Sequence, residues 1–216
     1  MAYQDDIKKA AALLLPWNKL SGCNILVTGA TGLIGGCLVD VLMAHKGRNY
    51  NVYASGRNEE RAGRRFLKYA DDNSFHFVKY DVAHPLEYDV NFQYIIHAAS
   101  GAYPEEFIKH PVEVIKGNIN GVDNLMGYGI QHGIKRLLYI SSGEVYGEGD
   151  GRVFTENYSG YVDCTSLRSC YPSSKRAAET LCISYGAEYG IDVVIARPCH
   201  VYGPGFTESD NRVYAQ

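Results

Sequence analysis

Eight residues near the start of the chain, Thr28-Gly29-Ala30-Thr31-Gly32-Leu33-Ile34-Gly35, restrict its fold more than any other stretch. They follow a short apolar run, 23–28 (CNILVT), and open 32–45 (GLIGGCLVDVLMAH), where apolar residues recur at helical spacing. In that helix Leu33, Val41 and Leu42 can share a face with Ile34 and Leu38. A buried strand that ends in glycines and leads into a helix is the unit on which a dinucleotide pyrophosphate binds. Glycine permits the tight turn and the close backbone approach, and the free N–H groups of a helix N-terminus attract an anion. The spacing is G-x-x-G-x-x-G. With 23 glycines in 216 residues, it arises by chance about 0.26 times. Its placement between strand and helix therefore carries the argument; the alternative is a glycine-rich turn with no ligand.

The alternation continues along the chain. Strands are expected at 51–55, 75–82, 94–98, 136–141 and 192–196, and helices at 59–69, 111–132 and 173–189. The 111–132 helix is expected despite Gly117, Gly121, Gly127 and Gly129. This order predicts an α/β fold, a doubly wound Rossmann-type parallel sheet with helices on both faces. Residues 147–151 (GEGDG) read as a surface loop. Ahead of the first strand, 5–15 reads as a helix with acids at its start and Pro16 as its stop. Residues 1–22 thus form an N-terminal helical extension and 23–216 the dinucleotide-binding domain. The apolar face of the extension (Ile7, Ala11, Leu14, Leu15) must pack on something, either the domain or a partner subunit.

Composition narrows the function classes. At 46% hydrophobic residues the chain is no disordered tail. A net charge of -3 without a basic block makes it a poor general binder of nucleic acid or anionic membranes. Its longest apolar stretches fall far short of the ~20 residues of a membrane helix. The six cysteines include no C-x-x-C pair and no zinc spacing, so no metal is expected. The opening residues lack the apolar core of a secretory signal, and the expectation is a cytoplasmic protein with reduced thiols.

At the end of the second strand, an acid would bind the ribose hydroxyls of NAD and an arginine would suit the 2′-phosphate of NADP. The sequence there is Ala54-Ser55-Gly56-Arg57-Asn58, with Glu59 and Glu60 only in the following helix. Arg57 leans to NADP; the alternative is a solvated arginine in a turn. Asp81 and Val82, ending the third strand, either hold the adenine edge or, for Asp81, close a loop or cap a helix.

Tyr171 and Lys175 are four residues apart and belong on one helical face. An ammonium beside a phenol stabilises the phenolate, giving a general base for a sugar or alcohol hydroxyl. With 18 tyrosines and 10 lysines, Y-x-x-x-K is expected about 0.8 times by chance. What lifts it is Ser141-Ser142 at the end of the preceding strand, the edge where doubly wound folds place their chemistry.

The ordered motifs TGATGLIG (28–35), HAAS (97–100), NINGVDNL (118–125), YISSGEVYG (139–147), YPSSK (171–175) and ARPCHVYGP (196–204) resemble the NAD(P)-dependent epimerase/dehydratase family, the extended short-chain dehydrogenases/reductases. The resemblance implies a nucleotide-sugar enzyme in which bound NAD or NADP transiently oxidises a sugar hydroxyl to a ketone. It implies that Gly29, Gly32 and Gly35, with the backbone of Thr31, Leu33 and Ile34, cradle the pyrophosphate. Ala98, Ala99 and Asn118 would line the cofactor groove, and Pro198 would close over the nicotinamide. Ser142 and Tyr171 would contact the reacting hydroxyl, and Lys175 would hold the nicotinamide ribose.

Glu144, two residues past Ser142, is similar to the active-site glutamate of nucleotide-sugar dehydratases and decarboxylases. Once a 4-ketone forms, the C5 proton is acidic and a carboxylate there can act as base. The alternative is a loop acid at the strand end. Dehydratases of dTDP-glucose carry an Asp–Glu pair, and Gly143 stands at the Asp position, which argues against that reaction; GDP-mannose dehydratase-like and UDP-glucuronate decarboxylase-like enzymes manage with the glutamate alone. Segment 168–182 (RSCYPSSKRAAETLC) looks most like the UDP-glucuronate decarboxylases. Where relatives have an asparagine, this chain has His200, either a substrate contact or a packed histidine. The family implies a homodimer paired through 111–132 and 173–189. Its members also carry a smaller C-terminal lobe for the nucleotide part of the substrate. That lobe would begin near 199–216, so the expectation is a cofactor domain with a truncated substrate lobe, binding NAD(P) but turning over little. Two rival readings are an NADPH-dependent carbonyl reductase of the same superfamily and a non-catalytic dinucleotide sensor; retention of Ser142, Tyr171 and Lys175 argues against the sensor.

Overall fold

A computed structural model describes residues 2–102 and 104–203. Six strands run parallel in the order β3-β2-β1-β4-β5-β6. They are β1 (Asn24–Thr28), β2 (Asn51–Gly56), β3 (Phe75–Lys79), β4 (Tyr94–His97), β5 (Arg136–Ile140) and β6 (Asp192–Ala196). The helices are α1 (Ala2–Ala11), α2 (Leu33–Ala44), α3 (Glu59–Phe66), α4 (Pro104–Lys109), α5 (Pro111–His132) and α6 (Cys170–Tyr189). In β1, Val27 pairs with Ala54 on one side and Ile96 on the other. The strand order reverses between β1 and β4, and ligands bind at that switch point beyond the carboxyl ends of the strands.

Alternate residues of each strand face opposite layers. Leu26, Ile95, Leu137 and Tyr139 pack with Val122, Leu125 and Met126 of α5 and with Ala178 and Cys182 of α6. Ile25, Val27, Val52 and Ala54 pack with Val39, Leu42 and Met43 of α2 and with Ala62 and Phe66 of α3. Each fully buried Ile, Leu or Val stabilises the fold by roughly 1.5–3 kcal/mol. The doubly wound sheet expected from the alternation is therefore present, with a core on each face.

Several boundaries differ from the sequence reading. α1 ends at Ala11, and Leu13, Leu14 and Leu15 are exposed, so the expected apolar face is only Ile7 and Ala11. In α2 the buried face is Gly35, Gly36, Val39, Leu42 and Met43, while Leu33, Ile34, Leu38 and Val41 are half-buried. The glycines turn that face to the sheet because backbone can approach closer than leucine side chains allow. The 59–69 helix ends at Phe66 and tightens into a 3-10 turn, Leu67–Tyr69. α6 starts at Cys170, three residues early, because Pro172 lies in the first turn, where no intrahelical N–H is required. α4 was not expected from the sequence. Residues 147–151 form the expected loop, exposed from Glu148 on.

Asp40, in the middle of α2, is fully buried. It accepts hydrogen bonds from Tyr3 Oη at 2.6 Å and Tyr69 Oη at 2.9 Å, and pairs with Arg65 and, at 2.8 Å, Lys68 Nζ. Burial alone would raise its pKa; the hydrogen bonds from Arg65, Lys68 and Tyr3 overcome this and hold the carboxyl below its ordinary value. One carboxylate thus ties α1, α2 and α3 together, and α1 packs on its own domain. Asp40→Asn leaves two cations facing a neutral amide and is expected to cost about 3 kcal/mol in urea unfolding at neutral pH. That difference shrinks as the pH falls through and below the ordinary carboxylate range near 4, where Asp40 itself is protonated.

Candidate active site

The turn from β1 to α2 lies against the end of β4. Gly29 has φ +64°, and a Cβ there would sit 2.7 Å from Ala98 O and Ala99 N. A Cβ on Gly35 would sit 2.4 Å from Gly29 O. Any side chain at either place would push α2 off the turn. Gly32 caps α2 without a side-chain hydrogen bond, and the first turn of α2 holds no acid. The N–H groups of Leu33 and Ile34 therefore head a helix whose positive end is not answered by its own side chains. This cradle fits a pyrophosphate. Ala98 and Ala99 form its floor, with Ala99 N–H donating to Thr28 Oγ1 at 3.4 Å.

Beyond β2, Arg57 is largely exposed, with Nη1 4.0 Å from Asp81 Oδ2. Asp81 also accepts from Ala83 N–H at 3.1 Å, so it closes its own turn. Val82 O accepts from Asn124 Nδ2 at 2.9 Å, which ties that turn to α5. Arg61 on α3, which the sequence reading missed, donates to Thr31 O at 3.1 Å. Its signal was present: it follows Arg57 by four residues and the N-cap Asn58 by three.

The four residues read as catalytic converge at the ends of β5 and α6. Ser142 caps a 3-10 turn, Gly143–Tyr146, and its Oγ accepts from Glu144 N–H at 3.2 Å. Lys175 is buried; its Nζ donates to Ile140 O at 2.9 Å and lies over the rings of Tyr139 and Tyr171. Burial drives its pKa down to about 7 against the opposing charges of Glu179 and Cys182. Tyr171 departs from expectation. Burial raises its pKa, and the hydrogen bond with Ser142 only partly offsets that. Burial holds the Lys175 pKa at about 7, so the amine has lost its charge by the pH at which the phenol ionises and cannot support the phenolate there.

The paired serines separate. Ser141 Oγ donates to Glu179 Oε1 at 2.5 Å, and Glu179 is gripped by Arg197 Nε and Nη2 at 2.9 and 2.6 Å. Ser142 alone faces the tyrosine. Asn118, buried on α5, accepts from Ser100 Oγ at 2.8 Å and donates to Ser174 Oγ at 2.9 Å. Ser100, last residue of the HAAS motif, hydrogen-bonds Tyr171 as well; the sequence reading quoted the motif without singling it out. His97 bonds Thr28 Oγ1 through Nδ1 at 2.7 Å, and burial, with the Lys175 charge, holds its pKa down at about 3, so it is neutral.

Glu144 pairs with Arg168 Nη2 at 2.6 Å. Pro198 O accepts from Gly143 N–H at 2.9 Å, bringing the segment after β6 over the site. A Cβ on Gly143 would lie 2.7 Å from Cys199 Sγ. His200 follows on that segment and is exposed. Most of the expected start of a substrate lobe, 204–216, lies outside the described residues. Among the described residues no group of His, Cys, Asp and Glu could hold a metal, and no helix is long and apolar enough to cross a membrane.

The sequence model of the NAD dependent epimerase/dehydratase family matches residues 25–216. UDP-glucuronic acid decarboxylase 6 of Arabidopsis thaliana is 37% identical over 196 residues, which cover 89% of this chain and 55% of that protein. UDP-glucuronic acid decarboxylase 1 of Xenopus tropicalis is 34% identical over 191 residues, 88% of this chain and 44% of that protein. UDP-glucuronic acid 4-epimerase from Bacillus cereus, solved with UDP-glucuronic acid and NAD, shares 26% identity at a TM-score of 0.70 over 84% of this chain and 58% of its own. The chain spans about half the length of the curated relatives it matches.

The Lys175 pKa makes a testable demand. Between about 7, its folded value, and about 10.4, its unfolded value, the unfolded chain binds more protons than the folded one. The Lys175 term therefore makes stability rise as the pH climbs from 7 to 10. Lys175→Met is expected to flatten that part of the curve in urea unfolding at pH 7, 8 and 9; an unchanged slope would show that the ammonium is not buried.

Proposed function

The chain belongs to the NAD dependent epimerase/dehydratase family, and from that premise we propose that it oxidises a sugar hydroxyl of a nucleotide sugar transiently to a ketone. The observation that carries this is the convergence of Ser142, Tyr171, Lys175 and Glu144 at the sheet edge next to the glycine cradle. The cradle of Gly29, Gly32 and Gly35, with the N–H groups of Thr31, Leu33 and Ile34, would hold the pyrophosphate. Ala98, Ala99, Asn118 and Pro198 would border the rest of the dinucleotide, with Asp81 and Val82 at its adenine end. The nicotinamide, when bound, supplies the hydride acceptor.

The protein's residues handle the protons. Ser142 orients the reacting hydroxyl through its Oγ. Tyr171 takes the hydroxyl proton, and Lys175 orders the ribose and steadies the phenolate. The raised pKa of Tyr171 in the protein alone means that this charge support must come once the site is filled. Glu144 then serves the ketone intermediate at its C5 position, and return of the hydride leaves no net redox change. His200, exposed on the segment after β6, would contact the substrate. Relatives named as UDP-glucuronic acid decarboxylases support a UDP-uronate as the substrate, with loss of CO2 as the outcome.

Finer assignments follow from particular residues. NADP is favoured by Arg57 and Arg61 and by the absence of an acid at the end of β2, although related structures hold NAD. A homodimer is supported by exposed apolar residues on the two long helices, Val112 and Ile115 on α5 and Ile183 and Tyr189 on α6. A cytoplasmic location fits the cysteine usage.

The native protein incubated with a panel of nucleotide sugars, UDP-glucuronate included, is expected to release product without net reduction of cofactor. Tyr171→Phe is expected to lower kcat by about 10²–10⁴-fold while leaving cofactor affinity intact. No turnover of any nucleotide sugar by protein that retains its cofactor would overturn the reading, and steady consumption of NADPH with a simple ketone would redirect it to a carbonyl reductase. For the cofactor, Arg57→Ala is expected to weaken NADPH binding about tenfold, about 1.4 kcal/mol, without changing NADH binding; equal loss for both, measured by fluorescence titration, would place Arg57 outside 2′-phosphate recognition.

A further inference from the structure

Arg168 has no assigned part in this chemistry, yet three contacts place it against the proposed machinery. It lies on a 3-10 turn, Leu167–Ser169, immediately before α6, with its N–H bonded to Ser166 Oγ at 3.3 Å. Its Nη2 donates to Glu144 Oε1 at 2.6 Å. Its guanidinium lies over the Phe107 ring at 4.6 Å, and Phe107 stacks on Tyr171 at 4.8 Å and 26°. Phe107 is buried at the base of α4, so the surface under Arg168 is fixed.

Both charged side chains are half-exposed, and such a pair contributes only ~0–1 kcal/mol to stability. Its geometry matters more. A guanidinium held over an aromatic ring has few rotamers left, and its planar fork presents N–H groups in a fixed geometry. The Glu144 backbone is already tied to Ser142 Oγ. Fixing the carboxylate as well places it beside the Ser142–Tyr171 pair. The Arg168 charge also opposes that of Glu144 at the Tyr171 phenol.

We propose that Arg168, seated on Phe107, is a positioning residue that holds the Glu144 carboxylate in its working place beside Ser142 and Tyr171. The inference rests on the role given to Glu144 under the proposed function. It is tested in the native protein, on a nucleotide sugar that the wild type turns over, with Arg168→Gln, Arg168→Lys, Glu144→Gln and the double variant Arg168→Gln/Glu144→Gln. Arg168→Gln is expected to lower kcat about tenfold to a hundredfold, with KM and cofactor affinity little changed. Arg168→Lys should recover only part of the loss, because an ammonium lacks the planar fork that can lie over the ring and bond the carboxylate at once. In the Glu144→Gln background, Arg168→Gln should cost less than about twofold more.

An equal loss from Arg168→Gln in both backgrounds would overturn the proposal, since Arg168 would then act independently of Glu144. A fall in cofactor affinity in step with activity would also overturn it, as the mark of a merely structural arginine. An inert Glu144→Gln removes the Glu144 role and this inference with it, while leaving the nucleotide-sugar reading standing. Absence of all turnover by the wild type removes both.

Discussion

A lysine with no access to water, its pKa held down to about 7, sits under the catalytic edge of this domain, and the arrangement of β5, β6 and α6 follows from keeping it there. An isolated buried charge is costly unless polar groups surround it. Lys175 has the Ile140 carbonyl, the faces of Tyr139 and Tyr171, and the carboxylate of Glu179 one turn along the helix. Glu179 in turn needs partners, which are Ser141 at the end of β5 and Arg197 just past β6. Arg197 reaches on to Glu156 O, and Arg176 to Val145 O and Gly160 O. A single buried lysine thus organises two strand ends, one helix and the 147–161 loop. Ser142 falls beside Tyr171 as a by-product, since its neighbour Ser141 is turned away toward Glu179.

On the other face the constraint is steric. Gly29 and Gly35 let α2 and β4 approach the same turn within distances that no side chain permits. The buried face of α2 therefore includes its glycines, and Leu33 and Leu38 are left half-covered. Asp40, one turn after Gly36, stands at the edge of this face, where Arg65, Lys68, Tyr3 and Tyr69 meet it and Arg65 also donates to Gly36 O. The helix that carries the phosphate cradle is thereby fixed in two ways, by backbone contact toward the sheet and by charge toward α1 and α3.

The features legible in the sequence were those with a local signature. The glycine turn, the β1, β5 and β6 cores and the full span of α5 could be read because apolar periodicity and turn residues are short-range properties. Ser142, Tyr171 and Lys175 could be read because a strand end and an i,i+4 spacing bring them near each other. The features missed depend on contacts between distant residues. Asp40 resembles a flaw in an apolar helix until α1 and α3 surround it. Arg168 and Glu144 are 24 residues apart and share no motif. α4 is six residues long, too short to be stable by propensity, and it holds because Phe107 is buried against Tyr171. The pKa of Tyr171 was misjudged for a related reason. Spacing places Lys175 nearby, but only the fold shows that burial raises the phenol pKa and lowers that of the lysine.

Gly143 bears on which reaction such a site can perform. Its N–H is bonded to Pro198 O, and a Cβ there would lie 2.7 Å from Cys199 Sγ and 3.2 Å from Cys199 Cα, so a side chain at 143 would require the Cys199 thiol to turn aside. Expelling water from a keto-sugar requires a proton for the departing hydroxyl and a base for the adjacent C–H, two tasks that a pair of carboxylates divides well. Loss of CO2 from a sugar with a 4-ketone and a C5 carboxylate asks less of the protein. The ketone receives the electron pair of the breaking C5–C6 bond, no C–H is broken, and one proton must then be returned to C5. A lone carboxylate with its arginine, next to a tyrosine and a serine, suits that smaller demand. Under the proposed function, the glycine at 143 sets this site apart from the Asp–Glu pair that the resemblance assigns to dTDP-glucose dehydratases, and a lone glutamate fits the decarboxylase-like and the GDP-mannose dehydratase-like members of the family alike.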